Sequence, residues 1–279
     1  MDRKLIFLDI DGTILAPGKG ISQGVKEGLK EARARGHQVF VCTGRSCHML
    51  PEELEDVELD GVIANAGSDI WIHGENIYRT AFEESQLRYA FEVMDRLGAI
   101  YILEGYDRIY VSERGVDILS DSEPVPGDNP ELARWKEFFS RWRDTGSMGE
   151  WTPELAPIPK ISFMVLDRGA AECLYEELGE VFYVAFYPAR TDNFFNGELI
   201  SRTADKGTAI HQTAGYLKRD RKDTIAFGDS MNDYQMIREA GCGVVMGNGD
   251  ERLKEIADRV CGTVDEDGVI RELARMGLI

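Results

Sequence analysis

No apolar run in the sequence is longer than a strand, so none is long enough to cross a membrane. Its start carries no apolar stretch with a cleavage site, and no signal peptide is expected. Positive charge is scarce: 32 Lys+Arg stand against 50 Asp+Glu, a formal net charge of -18. That field repels DNA and RNA, so nucleic acid is not an expected partner. A small anion is still admissible, because a metal ion or a lysine can reverse the field within one pocket. Cysteine is sparse and odd in number. Cys42, Cys47, Cys173, Cys242 and Cys261 show no CxxC spacing, which fits a reducing compartment, and a cytoplasmic location is expected. The four histidines form no HxxxH pattern, which argues against zinc. Internal repeats and low-complexity tracts are absent, and no residue pattern bears on oligomeric state.

What the 279 residues do contain is a core-forming apolar fraction of 43% and a regular alternation of strand and helix signals. Lys4–Leu8 reads as a strand, Ser22–Arg35 as a helix with Ser22 at its N-cap, and Gln38–Cys42 as a second strand. Cys47–Leu54 is expected to be helical, and "GVIAN" at 61–65 is a third strand. The end of the chain repeats the style, with helices over 204–217, 231–240 and 250–257 and strands over 224–227 and 243–246. Apolar strands separated by helices imply βαβ units and a parallel sheet. The middle differs. Helical patterns cover 84–97 and 130–142, strand patterns cover 99–103, 108–112, 160–166, 181–186 and 194–200, and Pro and Gly cluster at 124–130 and 153–159. The expected architecture is therefore an α/β core of residues 1–82 and 199–279 with an inserted α+β domain at 83–198.

The chemistry sits where strands end. In "LIFLDIDGT", Asp9 and Asp11 follow a buried-looking strand, and residues two apart share a strand face. Two carboxylates there repel each other and resist desolvation, so a cation is the simple remedy, and hard cations such as Mg²⁺ take carboxylate and carbonyl oxygens. One carboxylate can attack phosphorus and the other can move protons. The plainer alternative is a solvated DxDG turn. Thr43-Gly44-Arg45 follows the second strand, where Thr43 offers a hydroxyl and a backbone N–H to an anion and Gly44 permits close approach. A bland strand-to-helix turn has the same appearance. Lys206, in "DKG", opens a helix, so a phosphate there would meet an ammonium and the positive helix end together. A surface lysine is the alternative, and Lys160 in "PIPKISF" is its rival. In "FGDSMND", Asp229 can be a third metal carboxylate, with Asn232 and Asp233 orienting the ligands and the lysine. Helix capping explains one of these residues but not the cluster.

DIDGT, the strand-ending Thr43, Lys206-Gly207 and GDSMND resemble, in that order, the haloacid dehalogenase-like phosphatases. The closer resemblance is to the Cof-type members, which carry a large α+β (C2B-type) cap between the second and third motifs. The resemblance implies a Rossmann-like, doubly wound parallel sheet with that cap inserted. It implies Asp9 as the nucleophile that forms an aspartyl-phosphate, and Asp11 as the acid that protonates the leaving oxygen and then the base that activates water. Mg²⁺ would be held by Asp9, the backbone carbonyl of Asp11 and Asp229, with Asp233 behind them. Thr43, Gly44, Lys206 and Asn232 would hold phosphate. The presence of Asp11 argues for phosphoryl transfer over dehalogenation or ion pumping. "NAGS" at 65–68 departs from the Asn-Gly-Ala of Cof-type chains, at the position of Asn65. The expected activity is a Mg²⁺-dependent phosphomonoesterase acting on a small phosphorylated metabolite, a sugar phosphate, nucleotide or cofactor phosphate, with the cap closing over it. The alternatives are a phosphosugar mutase and a non-catalytic module that binds phosphometabolites.

Overall fold

In a computed structural model of the chain, which describes residues 3–120, 136, 145–187 and 194–279, the run Leu5–Leu8 is strand β1 and all four side chains are buried. Helix α1 (Gln23–Ala34) follows, with the Val25 amide donating to the Ser22 hydroxyl at 3.1 Å. Gln38–Cys42 is β2 and Gly61–Ala64 is β3, and the chain then doubles back through β4 (Asp69–Ile72) and β5 (Glu75–Arg79). The next stretch carries α2 (Glu84–Arg96), β6 (Ile100–Glu104), β7 (Ile109–Val111), α3 (Glu113–Ser120) and β8 (Thr145–Ser147). It continues with β9 (Lys160–Val165), α4 (Arg168–Leu178), β10 (Phe182–Phe186) and β11 (Phe195–Ser201). The chain ends with α5 (Lys206–Tyr216), β12 (Thr224–Gly228), α6 (Tyr234–Glu239) and β13 (Cys242–Val245), then α7 (Glu251–Lys254), β14 (Arg259–Val260) and α8 (Gly268–Arg275). Two compact units result: Met1–Thr80 with Thr203–Ile279, and Ala81–Arg202.

The first unit is built on an eight-stranded sheet in the order β14-β13-β12-β1-β2-β3-β4-β5. It is parallel from β14 to β3, with β4 and β5 antiparallel at one edge. Side chains alternate along β1: Ile6 and Leu8 pack with α1 and α8, whereas Leu5 and Phe7 pack with α5 and α6. Both sheet faces are thus covered, which is why β1 is apolar throughout rather than alternating. This is the expected α/β doubly wound architecture. The second unit is α+β. Its six-stranded sheet runs β10-β11-β9-β6-β7-β8 and is antiparallel apart from β7–β8. Among the described residues, no helix is long and apolar enough to cross a membrane.

Local departures from the sequence expectations have physical causes. Cys47–Leu54 is not one helix but two 3-10 turns, Cys47–Met49 and Glu52–Leu54. Pro51 between them lacks the amide a continuous helix needs, and both Leu50 and Pro51 are extended, as proline imposes. The β4–β5 hairpin is additional to the expected elements, and Asp69 stands in it as a buried charge. Arg79 pairs with that carboxylate at 3.1 Å, and the Asn76 side-chain amide donates to it at 2.7 Å. Helices α3 and α4 are also additional. The helix expected over 130–142 lies outside the described residues, Lys136 apart.

Candidate active site

The carboxyl ends of β1, β2 and β12 adjoin in the sheet, which gathers three of the sequence motifs at one edge. The Asp9 amide donates to the Phe227 carbonyl at 2.9 Å, extending the β1–β12 pairing by one residue. The chain then leaves the strand. The amides of Thr13, Ile14 and Leu15 all converge on the Ile10 carbonyl, at 2.8–3.3 Å, rather than on that of Asp11. The shared strand face ends there too, and the two acids part. Asp9 is buried, and the Asp11 side chain is 54% exposed. Gly12 makes the turn possible. Its φ is +86°, and a Cβ on it would lie 2.3 Å from Asp229 Oδ2.

Lys206 is fully buried and joins the first motif to the last. Its Nζ donates to Asp9 Oδ1 at 2.6 Å and to Asp233 Oδ1 at 2.5 Å. The first turn of α5 is fixed by a reciprocal cap in which the Thr208 amide donates to Asp205 Oδ1 and the Thr208 hydroxyl accepts from the Asp205 amide. Asp233 turns its other oxygen to the amides of Asp229 (3.0 Å) and Ser230 (3.1 Å), so one carboxylate holds both the lysine and the Gly-Asp-Ser loop. Thr13 Oγ1 reaches Asp229 Oδ1 at 3.4 Å, and the Ser230 hydroxyl donates to Asn232 Oδ1 at 2.7 Å, tying Asn232 to the loop.

Electrostatics follow from this crowding. Burial, then the charge of Asp233, pushes the Asp9 carboxyl well above its ordinary value, against the pull of Lys206. Burial, again with Asp233, pushes Asp229 up to about 7. Burial alone would lower the Lys206 ammonium, but Asp233 and Asp9 outweigh it and hold the lysine charged.

Oxygens of Asp9, Asp229 and Asp233 lie within 4.8 Å of one another. The donors are all carboxylates, crowded enough to resist ionisation, and that set suits a hard divalent cation. Asp233 already serves Lys206 and two amides through both its oxygens, which leaves Asp9 and Asp229 the freer of the three to hold such a cation.

A profile of the haloacid dehalogenase-like hydrolases matches residues 6–273. The chain belongs to this family. Phosphatase YwpJ of Bacillus subtilis is 29% identical to it over 283 residues, covering 95% of this chain and 97% of its own. The 5-amino-6-(5-phospho-D-ribitylamino)uracil phosphatase YitU of the same species is 26% identical over 274 residues, 96% of each chain. The structure of a haloacid dehalogenase-like hydrolase from B. subtilis aligns with a TM-score of 0.80 at 25% identity, covering 98% of this chain and 99% of that one.

The second motif of this hydrolase requires a correction. The Thr43 amide is not offered to an anion: it donates to the Ile63 carbonyl at 2.8 Å, as β2–β3 pairing continues past the strand end. The Thr43 hydroxyl accepts from the Arg45 amide at 3.1 Å, which leaves its proton to donate. Gly44 lies in the turn between these two residues. Three residues not assigned to the site from sequence also belong there. Arg45 forms a two-pronged pair with Asp11, Thr13 reaches Asp229, and Asn248 donates to the Gly12 carbonyl at 2.9 Å while accepting from the Val264 amide. Arg45 and Asn248 each stand shortly after a strand, β2 and β13, and that placement is their only signal in the sequence. Asn65 is buried beside this loop, its amide donating to the Arg45 carbonyl, and its side chain has no partner among the described residues.

Proposed function

We propose that this hydrolase removes the phosphoryl group of a small phosphorylated metabolite through an aspartyl-phosphate on Asp9, with Mg²⁺ bound by Asp9, Asp229 and the Asp11 carbonyl. Family membership and the full-length phosphatase relatives support phosphate-ester hydrolysis. The observation that carries the finer reading is the separation of the two acids. Asp9 is buried against Lys206, and Asp11 is exposed and outside that pair.

In the first half-reaction the Asp9 carboxylate attacks phosphorus, the ester P–O bond breaks, and the leaving oxygen takes a proton from the Asp11 carboxyl. In the second, Asp11 takes a proton from water, the water oxygen attacks phosphorus, and the P–O bond to Asp9 breaks to release phosphate. Lys206 and the Thr43 hydroxyl stabilise charge on the phosphoryl oxygens, and Asn232 holds the loop or the phosphate. Bound Mg²⁺ supplies further neutralisation of the transferring group. Asp233 keeps the lysine charged and in place.

The test is a phosphate-release screen over phosphorylated metabolites, with Mg²⁺ and with chelator, joined to acid-quenched intact-mass measurement. One phosphoryl group on the wild-type chain, and none on a folded Asp9→Asn variant, is the expected result. Undiminished turnover by Asp9→Asn sinks the mechanism.

A further inference from the structure

Residues 246–250, between β13 and α7, lie against both segments that carry the proposed metal oxygens, and all of these residues belong to the first compact unit. The Asp250 amide donates to the Asp229 carbonyl at 2.8 Å. Gly249 stands so close that a Cβ on it would lie 3.0 Å from that same carbonyl oxygen. Asn248 serves the other segment. Its Nδ2 donates to the Gly12 carbonyl at 2.9 Å, and its Oδ1 accepts from the Val264 amide at 2.8 Å.

An asparagine in a loop ordinarily has a local reason, a left-handed φ or a bond to its own stretch of backbone. Asn248 has neither. Its φ is not positive, and its oxygen goes to an amide 16 positions on. The residue is exposed, yet its side chain is held at both ends. What it fixes is a peptide group 236 positions away.

That peptide group decides where the Asp11 carbonyl points. The Asp11–Gly12 peptide is anchored through its amide, which donates to the Leu15 carbonyl at 3.0 Å. Peptide groups are planar and trans, so the Asp11 oxygen points away from Leu15. The next peptide, Gly12–Thr13, is anchored at its amide by the Ile10 carbonyl at 3.3 Å and at its carbonyl by Asn248. Gly12 is the joint between the two, and glycine restrains rotation least of any residue. Asn248 removes that freedom from outside the turn.

We propose that Asn248 is a positioning residue for the metal ion, holding the Asp11 carbonyl in place while Asp250 and Gly249 hold Asp229 from the same loop. The proposal rests on the Mg²⁺ reading above and deepens it.

The test adds MgCl₂ to chelator-stripped, full-length protein without substrate, and the rise of Tm with concentration gives the half-point of binding. In Asn248→Ala that half-point is expected to rise about tenfold, the usual size for losing a group that orients a metal ligand. Val264→Pro tests the same link without touching Asn248. Proline lacks the amide that Asn248 accepts from, and Thr263 before it is already extended, at φ -75° and ψ 166°, as proline requires. A rise of about threefold is expected there, the size of one hydrogen bond. Val264→Ala keeps the amide and is expected to leave the half-point where it is. A purely structural role lowers Tm equally at every Mg²⁺ concentration and moves no half-point, which overturns the proposal and leaves the metal reading standing. Should Asn248→Ala not fold, Val264→Pro decides alone. A wild type that gains no stability from Mg²⁺ and releases phosphate equally well in chelator removes the metal reading, and this one with it.

Discussion

Arg45 grips both oxygens of Asp11, Nε to Oδ2 at 2.7 Å and Nη2 to Oδ1 at 2.6 Å, while its third nitrogen donates to the Met49 carbonyl at 3.1 Å. The neighbouring acid, Asp9, belongs to a different cation, Lys206. The pair of carboxylates is thus shared out between a flexible ammonium and a planar fork. Arg45 thereby sets where the proposed acid–base group rests.

If Arg45 acts through Asp11, the two residues are not independent. Asp11→Asn is expected to lower kcat by about a hundredfold or more, the size of a lost general acid–base group. Arg45→Lys keeps the charge but not the two-pronged geometry, and a loss of about tenfold is expected. The double variant should be no worse than Asp11→Asn alone. Additive losses in steady-state kinetics would assign Arg45 a separate role.

Lys206 is enclosed by Asp9 and Asp233, so deleting its charge strands two buried carboxylates. Lys206→Met is expected to destabilise the protein by about 3–5 kcal/mol, the range for one partner removed from a buried pair. Urea unfolding measures it. Asp233→Asn should also loosen the Asp229–Ser230 loop, whose two amides it holds.

Protonation of Asp229 gives a stability profile with a definite sign. Its carboxyl is raised from the ordinary 3.8 to about 7, so between those values the folded chain holds a proton that the unfolded chain has lost. That contribution is complete at low pH and is lost as pH rises toward 7, at up to about 1.4 kcal/mol per pH unit. In chelator, Tm is therefore expected to decline over this window more in wild type than in Asp229→Asn. Added Mg²⁺ should flatten the wild-type decline, because the cation takes over from the proton. Identical profiles for the two proteins in chelator would contradict the assignment.

Gly12→Ala is expected to abolish phosphate release while the protein stays folded. The left-handed φ costs a side chain about 1–2 kcal/mol, and the added methyl meets Asp229 Oδ2. Circular dichroism and a release assay separate the two effects.

Much of this was legible along the chain, because it follows from short-range rules. The unbroken apolar run of β1 signals a sheet covered on both faces, and Ser22 marks a helix start. Asp9, Asp11 and Asp229 each stand just past a strand, where an α/β sheet presents its ligands. The break at Pro51 is also local, since a proline inside a helical pattern interrupts it.

What tertiary structure alone decided is which charge meets which. Lys206 reaches Asp9 across 197 positions, and Arg45 rather than Lys206 takes Asp11. The Thr43 amide goes to Ile63 instead of an anion, and Lys160, which looked like a rival to Lys206, lies between two glutamates of another sheet. These outcomes depend on strand order and register. Hydrophobic periodicity determines that a strand forms and which of its faces is buried, but a carboxylate finds its partner only when distant strands are laid side by side.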